Sequence, residues 1–273
     1  VAKHVIEMTD AGVTALHSAT VLDEEGESRE IAVTGERPLT IYLNKREIVT
    51  LMTMGTDPEL LTLGYLRNQG LIASIEAVIA VQVDWDVEAV AVTTHQLDSD
   101  TNKDIEKKMS KKTVTSGCGQ GTMFGDVMTS LSQLSVKCPR FSRDDIYQIL
   151  SGLQHYNQMY KTAGAVHGCG LCSMSGEVDF FVEDVGRHNA VDAISGWMWL
   201  EKLSGENKVF YTTGRLTSEM VIKVAQMEIP LLVSRSGVTE MGLQIAQQIG
   251  IGLVARAKGK HFLVFNGLKN FQQ

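Results

Sequence analysis

From residue 143 to the C-terminus the sequence alternates helix-like and strand-like segments, and this alternation constrains the fold more than any single motif. The apolar spacing predicts a helix over 143–160, then strands at 165–174 and 178–183 that meet at Ser175-Gly176. A helix is predicted over 186–199, followed by strand 208–212, helix 218–226, strand 230–234, helix 240–250 and strands 252–255 and 262–265. Strands separated by helices favour a mostly parallel α/β sheet with helices on both faces, because a parallel crossover needs a long connection. Ligands of such sheets gather beyond the carboxyl ends of the strands.

The N-terminal third reads differently. Residues 1–30 are polar, with an acidic run at Asp23-Glu24-Glu25-Gly26-Glu27, and are expected to form an arm and a first strand. Residues 39–43 and 47–51 alternate around Asn44-Lys45, a hairpin signal. Thr56 is the expected cap of a helix with Pro58 in its first turn and Glu59 three residues after the cap. Leu60, Leu61, Leu63, Gly64 and Leu66 form its apolar side, and Gly70 ends it. Apolar segments at 77–83 and 87–94 complete a small ββαββ unit over 31–96. Between the two regions, lysines give way to the small residues Thr115-Ser116-Gly117-Cys118-Gly119-Gln120-Gly121-Thr122. A connection this long without regular structure is commonly functional or disordered. Ser142, ahead of Asp144 and Asp145, suits the cap of the helix that follows. The expected organisation is an arm and small α+β domain over 1–110, a mobile cysteine loop over 111–140, and a larger α/β domain over 141–273.

Composition narrows the setting. No stretch approaches the ~20 apolar residues that span a bilayer, and the start of the chain has no apolar signal segment. Four cysteines among 273 residues are too few for a disulfide framework, so a reducing cytoplasm is the expected location. A net charge of −7 speaks against a nucleic-acid coat. The charge is uneven, however. Lys103, Lys107, Lys108, Lys111 and Lys112 precede Cys118, and Arg256, Lys258, Lys260 and His261 form a second basic run. Each is either a solvated face or a local anion site.

The residues suited to chemistry fall into three groups. Cys118 lies among three glycines that let the backbone bend, and nearby lysines would favour its reactive thiolate. Cys169 and Cys172 form a C-x-x-C after His167, a spacing that suggests zinc or a redox pair. Residues three apart on a strand point to opposite faces, though, and no second C-x-x-C completes a tetrahedral site. The expectation is therefore packing and no metal, with Cys138 structural as well. The third group is a set of strand-to-helix turns at 183–189, 214–219 and 234–239. Asp184 is a candidate helix cap, and His188 and Asp192 share a helical face. Arg187, His188, Gly214, Arg215, Ser218, Ser234, Arg235 and Ser236 would stand on one rim, each turn combining a helix N-terminus with an arginine. Together they suit a nucleotide or pyrophosphate.

The segment Glu183-Asp184-Val185-Gly186-Arg187-His188-Asn189-Ala190-Val191-Asp192 closely resembles the signature of the FdhD family of formate dehydrogenase accessory sulfurtransferases. Glu36-Arg37-Pro38-Leu39-Thr40, Thr213-Gly214-Arg215, Ser218-Glu219-Met220 and Leu232-Val233-Ser234 extend the likeness, which covers most of the chain from about residue 30. The resemblance implies a C-terminal cytidine-deaminase-like three-layer α-β-α domain beside the small N-terminal α+β domain, and a homodimer. It implies a persulfide taken from a cysteine desulfurase and delivered to the molybdenum bis(guanine dinucleotide) cofactor of formate dehydrogenase. GDP would then mimic part of the bound cofactor. Cys118 matches the first cysteine of the family's loop C-x-x-C, and Gly121 stands where the second belongs. A lone thiol can carry a persulfide but cannot close an intramolecular disulfide. The alternative is a non-catalytic chaperone that binds the cofactor without moving sulfur. Gly164-Ala165-Val166-His167 looks like the family's Gly-Gly-x-His turn, and Arg256-Ala257-Lys258-Gly259-Lys260-His261 like its cofactor-contacting run. A zinc deaminase is not expected, because His188-Asn189-Ala190 and Gly214-Arg215-Leu216 lack the glutamate and the cysteines that chemistry requires.

Overall fold

The computed structural model describes residues 5–95 and 134–272; Cys118 and the lysines before it lie outside the described residues. The first part contains β1 (Glu7–Met8), β2 (Leu16–Leu22), β3 (Ser28–Thr34), β4 (Arg37–Leu43), β5 (Arg46–Thr53), α1 (Pro58–Asn68), β6 (Val78–Asp84) and β7 (Ala89–Thr94). Strands order as β1-β6-β7-β4-β5 in one sheet, while β2 and β3 pair separately as an exposed two-stranded ribbon. The expected ββαββ unit is present as β4 to β7 around α1. Asn44 and Lys45 both take positive φ, 48° and 71°, the backbone of a two-residue hairpin turn whose twist matches its strands. The helix starts one residue later than the sequence suggested. Asp57 rather than Thr56 holds the cap position, with Pro58 next, where its missing N–H costs nothing. Glu59 turns back to hold the arm, one oxygen accepting from the Thr9 hydroxyl and the Ala11 N–H, both at 2.8 Å.

The second part contains β8 (Phe141–Ser142), α2 (Arg143–Leu153), α3 (Gln158–Ala163), β9 (His167–Ser173), β10 (Val178–Asp184), α4 (Arg187–Leu200), β11 (Lys208–Thr212), α5 (Ser218–Gln226), β12 (Leu231–Ser234), α6 (Glu240–Ile249), β13 (Gly252–Lys258), β14 (His261–Asn266) and β15 (Phe271–Gln272). Ser142 caps α2 in a reciprocal box with Asp145, as its position suggested. Strands β9 to β14 form a sheet ordered β10-β9-β11-β12-β13-β14. It is mixed rather than mostly parallel. Only β11-β12-β13 run parallel, and β9, β10 and β14 are antiparallel to their neighbours. The short turns at Gly176 (φ 82°) and Gly259 (φ 59°) force the β9–β10 and β13–β14 pairings, since a tight hairpin cannot join parallel strands. The predicted helix 143–160 is also divided. The amides of Met159 and Tyr160 bond to the Glu183 carboxylate instead of to carbonyls one turn back, so α3 begins anew.

Alternate residues of each strand feed opposite layers. Phe210, Leu232 and Leu253 join α4, α5 and α6 in one apolar core, whereas Val209, Tyr211, Leu231, Val233 and Val254 face α2. The first core runs on without interruption into Leu63 and Leu66 of α1 and Leu39, Ile41 and Val92 of the N-terminal sheet. The join is the crossing of α1 and α4, where backbones touch. A Cβ at Gly64 would stand 1.7 Å from the Asp192 carbonyl oxygen, and one at Gly196 2.0 Å from that of Leu60. Beside it lies a fully buried polar cluster. Lys223 Nζ meets Asp192 Oδ2 at 2.8 Å, Asn68 Nδ2 donates to Asp192 Oδ1 at 2.7 Å, and the Ser195 hydroxyl donates to Asn68 Oδ1 at 3.0 Å. Among the described residues, no helix is long and apolar enough to cross a membrane.

Candidate functional site

The parallel strands β11, β12 and β13 end at one rim, and the turns that leave them are stitched together. The buried Ser234 hydroxyl donates to the Gly214 carbonyl (2.7 Å) and accepts from the Ser236 N–H (2.9 Å). Arg235 N–H bonds to Thr212 O at 3.0 Å, and Arg256 N–H to Ser236 O at 2.8 Å. The antiparallel β9 begins here too, with Thr213 exchanging bonds with Gly168. Ser234 therefore shapes the rim with both functions of its hydroxyl used internally.

Two adjoining hollows open at this rim. The larger, about 470 Å³, is lined by Tyr160, Gly164, Ala165, Val166, His167, Val185, Thr213, Arg235 and Ser236. The smaller, about 270 Å³, lies toward α2 and includes Asn157, Tyr160, Lys161, Tyr211, Arg235, Ala257, Lys258 and Gly259. Tyr160 and Arg235 belong to both, with the guanidinium 5.6 Å from the ring centroid. A further hollow of about 730 Å³ around Cys138 and Pro139 opens near the other ends of β11 and β12, away from these turns.

The electrostatics of the rim favour an anion. His167 sits below the ordinary histidine range, first because it is partly buried, then because Arg187 and Arg215 face it. It is thus a neutral imidazole at the mouth of a cationic hollow. His188 is pushed down to about 2, chiefly by burial, with Lys223, Arg187, His167 and Arg215 adding to the effect. Its Nε2 lies 3.3 Å from Glu219 Oε2, a contact that would favour the charged ring, but burial and four basic neighbours outweigh one carboxylate.

The expected site residues divide accordingly. Arg235, Ser236, Ala257, Lys258 and Gly259 line the hollows, and Gly164 to His167 line the larger one. Arg187 is buried with its side chain laid over Gly214, where an added Cβ would meet Arg187 Cδ at 2.7 Å. It acts on the rim through packing and charge. Arg215 is exposed beside the turn, and Ser218 opens α5. Arg256, Lys260 and His261 are exposed, and the last two sit at the β13–β14 hairpin, with Lys260 O accepting from the Tyr147 hydroxyl. His188 is drawn inward to α5, and Asp192 to Lys223, so the two do not act together.

Asp184 does not cap α4, whose cap position is Gly186. Its carboxylate accepts from Thr53 Oγ1 (2.6 Å) and Met54 N (3.1 Å) on one oxygen, and from Gly186 N (2.9 Å) and Asn189 Nδ2 (2.7 Å) on the other. Sequence reading missed Tyr160, which no motif marks and only the break before α3 would have pointed to, and it quoted Thr213 in the Thr213-Gly214-Arg215 segment without naming it as a site residue. Cys169 and Cys172 belong to opposite cores, both fully buried with thiols pushed up to about 12 by desolvation. The two side chains face opposite layers, as alternation along a strand dictates. Among the described residues no cluster of His, Cys, Asp or Glu could hold a metal ion.

The profile of the FdhD/NarQ family matches residues 34–272, the sheet, the rim and the hollows together. The chain belongs to the FdhD/NarQ family. A sulfur carrier protein FdhD from Wolinella succinogenes is 29% identical over 254 residues, covering 90% of this chain and 86% of the relative. The sulfur carrier protein FdhD of Sulfurisphaera tokodaii is 32% identical over 240 residues, 85% of this chain and 89% of the relative. A solved structure described as a formate dehydrogenase accessory protein, from Desulfotalea psychrophila, superposes with a TM-score of 0.72 at 27% identity. That likeness covers 94% of this chain and 98% of the other. Within the family's signature, Glu183, Asp184, Asn189 and Asp192 all spend their side chains on internal bonds.

Proposed function

We propose that this chain is a sulfur carrier serving formate dehydrogenase, as its FdhD relatives are named. In this reading a cytoplasmic cysteine desulfurase presents a persulfide. The Cys118 thiolate attacks its terminal sulfur, the desulfurase thiolate leaves, and a persulfide remains on Cys118. The molybdenum bis(guanine dinucleotide) cofactor is the substrate that receives this sulfur, and the apo-dehydrogenase catalytic subunit is the destination. A homodimer belongs to the same reading.

The observation that carries it is the paired hollow at the strand ends. Arg235, Lys258 and Lys161 supply charge for phosphates, with Arg187 and Arg215 behind them. Tyr160 supplies aromatic surface for a base, with the buried Tyr211 behind the smaller hollow. The combined space suits a nucleoside diphosphate portion, and His167, as a neutral imidazole, can be a donor or an acceptor.

The chaperone reading is favoured by one fact, Gly121 in place of a second loop cysteine. One experiment separates the two. The protein is incubated with a cysteine desulfurase and cysteine, intact mass is measured, and GDP binding is measured in parallel by calorimetry. One added sulfur atom, absent in Cys118→Ala, supports transfer. GDP binding without added sulfur supports the chaperone. Neither result in the wild-type chain would overturn both. Arg235→Ala and Lys258→Ala should each weaken GDP by about 1–3 kcal/mol, the range of a lost charged hydrogen bond.

A further inference from the structure

We propose that Glu183 is a positioning residue for the rim: through the first turn of α3 it fixes where Tyr160 stands, and so the shape of both hollows, without touching what they hold. The inference rests on the reading of the rim as a nucleotide site and goes one step further into it. Glu183 is the next-to-last residue of β10 and only 8% exposed. Its two carboxylate oxygens accept from successive amides, Oε2 from Met159 N at 3.0 Å and Oε1 from Tyr160 N at 2.9 Å. These are donors that a helix's own first turn leaves without partners. The residue in the cap position, Asn157, makes no side-chain bond to them. A strand 24 residues further along the chain thus does the work of the missing cap, with a negative charge at the positive end of the helix dipole.

α3 needs that support. It has six residues and buries none of them completely. A helix so short has almost no intrinsic stability, because nucleation costs more than the few bonds return. Yet it carries the wall of the site. Tyr160 lies under Arg235 between the two hollows. At its end Gly164 takes φ 78°, its N–H bonded to Tyr160 O, and the chain from there to His167 lines the larger hollow. Freeing two amides at the start of α3 would loosen Tyr160 and release Arg235 from its ring.

The test uses the full chain with Glu183→Ala, Glu183→Gln and Tyr160→Ala, GDP as the probe, and amide hydrogen exchange on the unliganded protein. In Glu183→Ala, exchange at Met159 and Tyr160 is expected to quicken about tenfold or more, the equivalent of one lost charge-assisted bond. Protection in β11 and β12 should stay unchanged. GDP affinity should fall about tenfold, and Glu183→Gln, which keeps a neutral acceptor, should recover part of it. With Tyr160 already replaced by alanine, Glu183→Ala should change GDP affinity less than about twofold, because the two act through one element. Unchanged exchange at Met159 and Tyr160 would overturn the proposal, and so would losses in GDP affinity that simply add. If the wild-type chain binds no GDP, the nucleotide reading fails by itself, and the exchange rates still decide whether Glu183 holds α3.

Discussion

Replacing Gly64 with alanine asks the crossing of α1 and α4 to accept a methyl group where there is backbone. The new Cβ would lie 1.7 Å from the Asp192 carbonyl oxygen, 2.6 Å from its carbonyl carbon and 2.7 Å from Gly196 N. Neither side has a flexible side chain that can swing away. To reach even 3.0 Å, the floor for real Cβ contacts, the helices must part by about 1.3 Å, and a gap of that order forfeits roughly half of each dispersion contact along the seam. Parting also stretches two bonds across it, Asn68 to Asp192 (2.7 Å) and Arg67 to the Ser195 carbonyl (3.0 Å). Overpacking usually costs ~1–3 kcal/mol; with rigid backbone on both sides and two polar contacts strained, about 3–5 kcal/mol is expected, at the diagnostic end of single mutations. For a chain of this size that lowers the melting temperature by about 10 °C, at roughly 2–4 °C per kcal/mol. The assay is thermal and urea unfolding beside Gly237→Ala, whose added methyl would meet no atom within 4 Å. Equal melting of the two variants would refute the claim that the halves are held by backbone contact.

Further outcomes follow from the buried groups. Lys223→Met strands the Asp192 carboxylate in the core and should cost about 3–5 kcal/mol in urea unfolding, while the double variant Lys223→Met, Asp192→Asn should recover most of it. His188 has a folded pKa of about 2 against an ordinary 6.5, so the unfolded chain binds more protons in acid. The stability tied to its neutrality is complete above about pH 6.5 and falls by up to ~1.4 kcal/mol per pH unit below it. His188→Gln should flatten that dependence between pH 7 and 5, and parallel curves would refute it. Cys169 and Cys172, with thiols pushed up to about 12 and no exposed surface, should remain unalkylated by iodoacetamide in the native protein at pH 8. Peptide mapping that finds either one modified before unfolding would contradict their burial.

The sequence was most readable where a single local rule acts. Asn44-Lys45 demanded a two-residue hairpin, Ser142 with Asp145 a capped helix, and the C-x-x-C on a strand two opposite faces, and all three are present. It was least readable where a distant residue decides. The break before α3 depends on Glu183, the antiparallel flanks of the sheet depend on where hairpins return, and Gly64 read as one more apolar position until its neighbour Gly196 was in view. The site shows the same division. Rim turns with arginines were legible from strand-to-helix alternation, but their roles were not. Ser234 and Arg187 build the rim, whereas Tyr160, which no motif announces, divides it.

One oxygen of Asp184 listens to β5 and the other to the start of α4, and Thr53 lies 131 residues earlier in the chain. Any docking partner that tugs on the C-terminal end of β5 therefore pulls, through Asp184 and Asn189, on the segment that carries Arg187. Contact at the end of β5 and occupancy at the rim thereby become mechanically linked events.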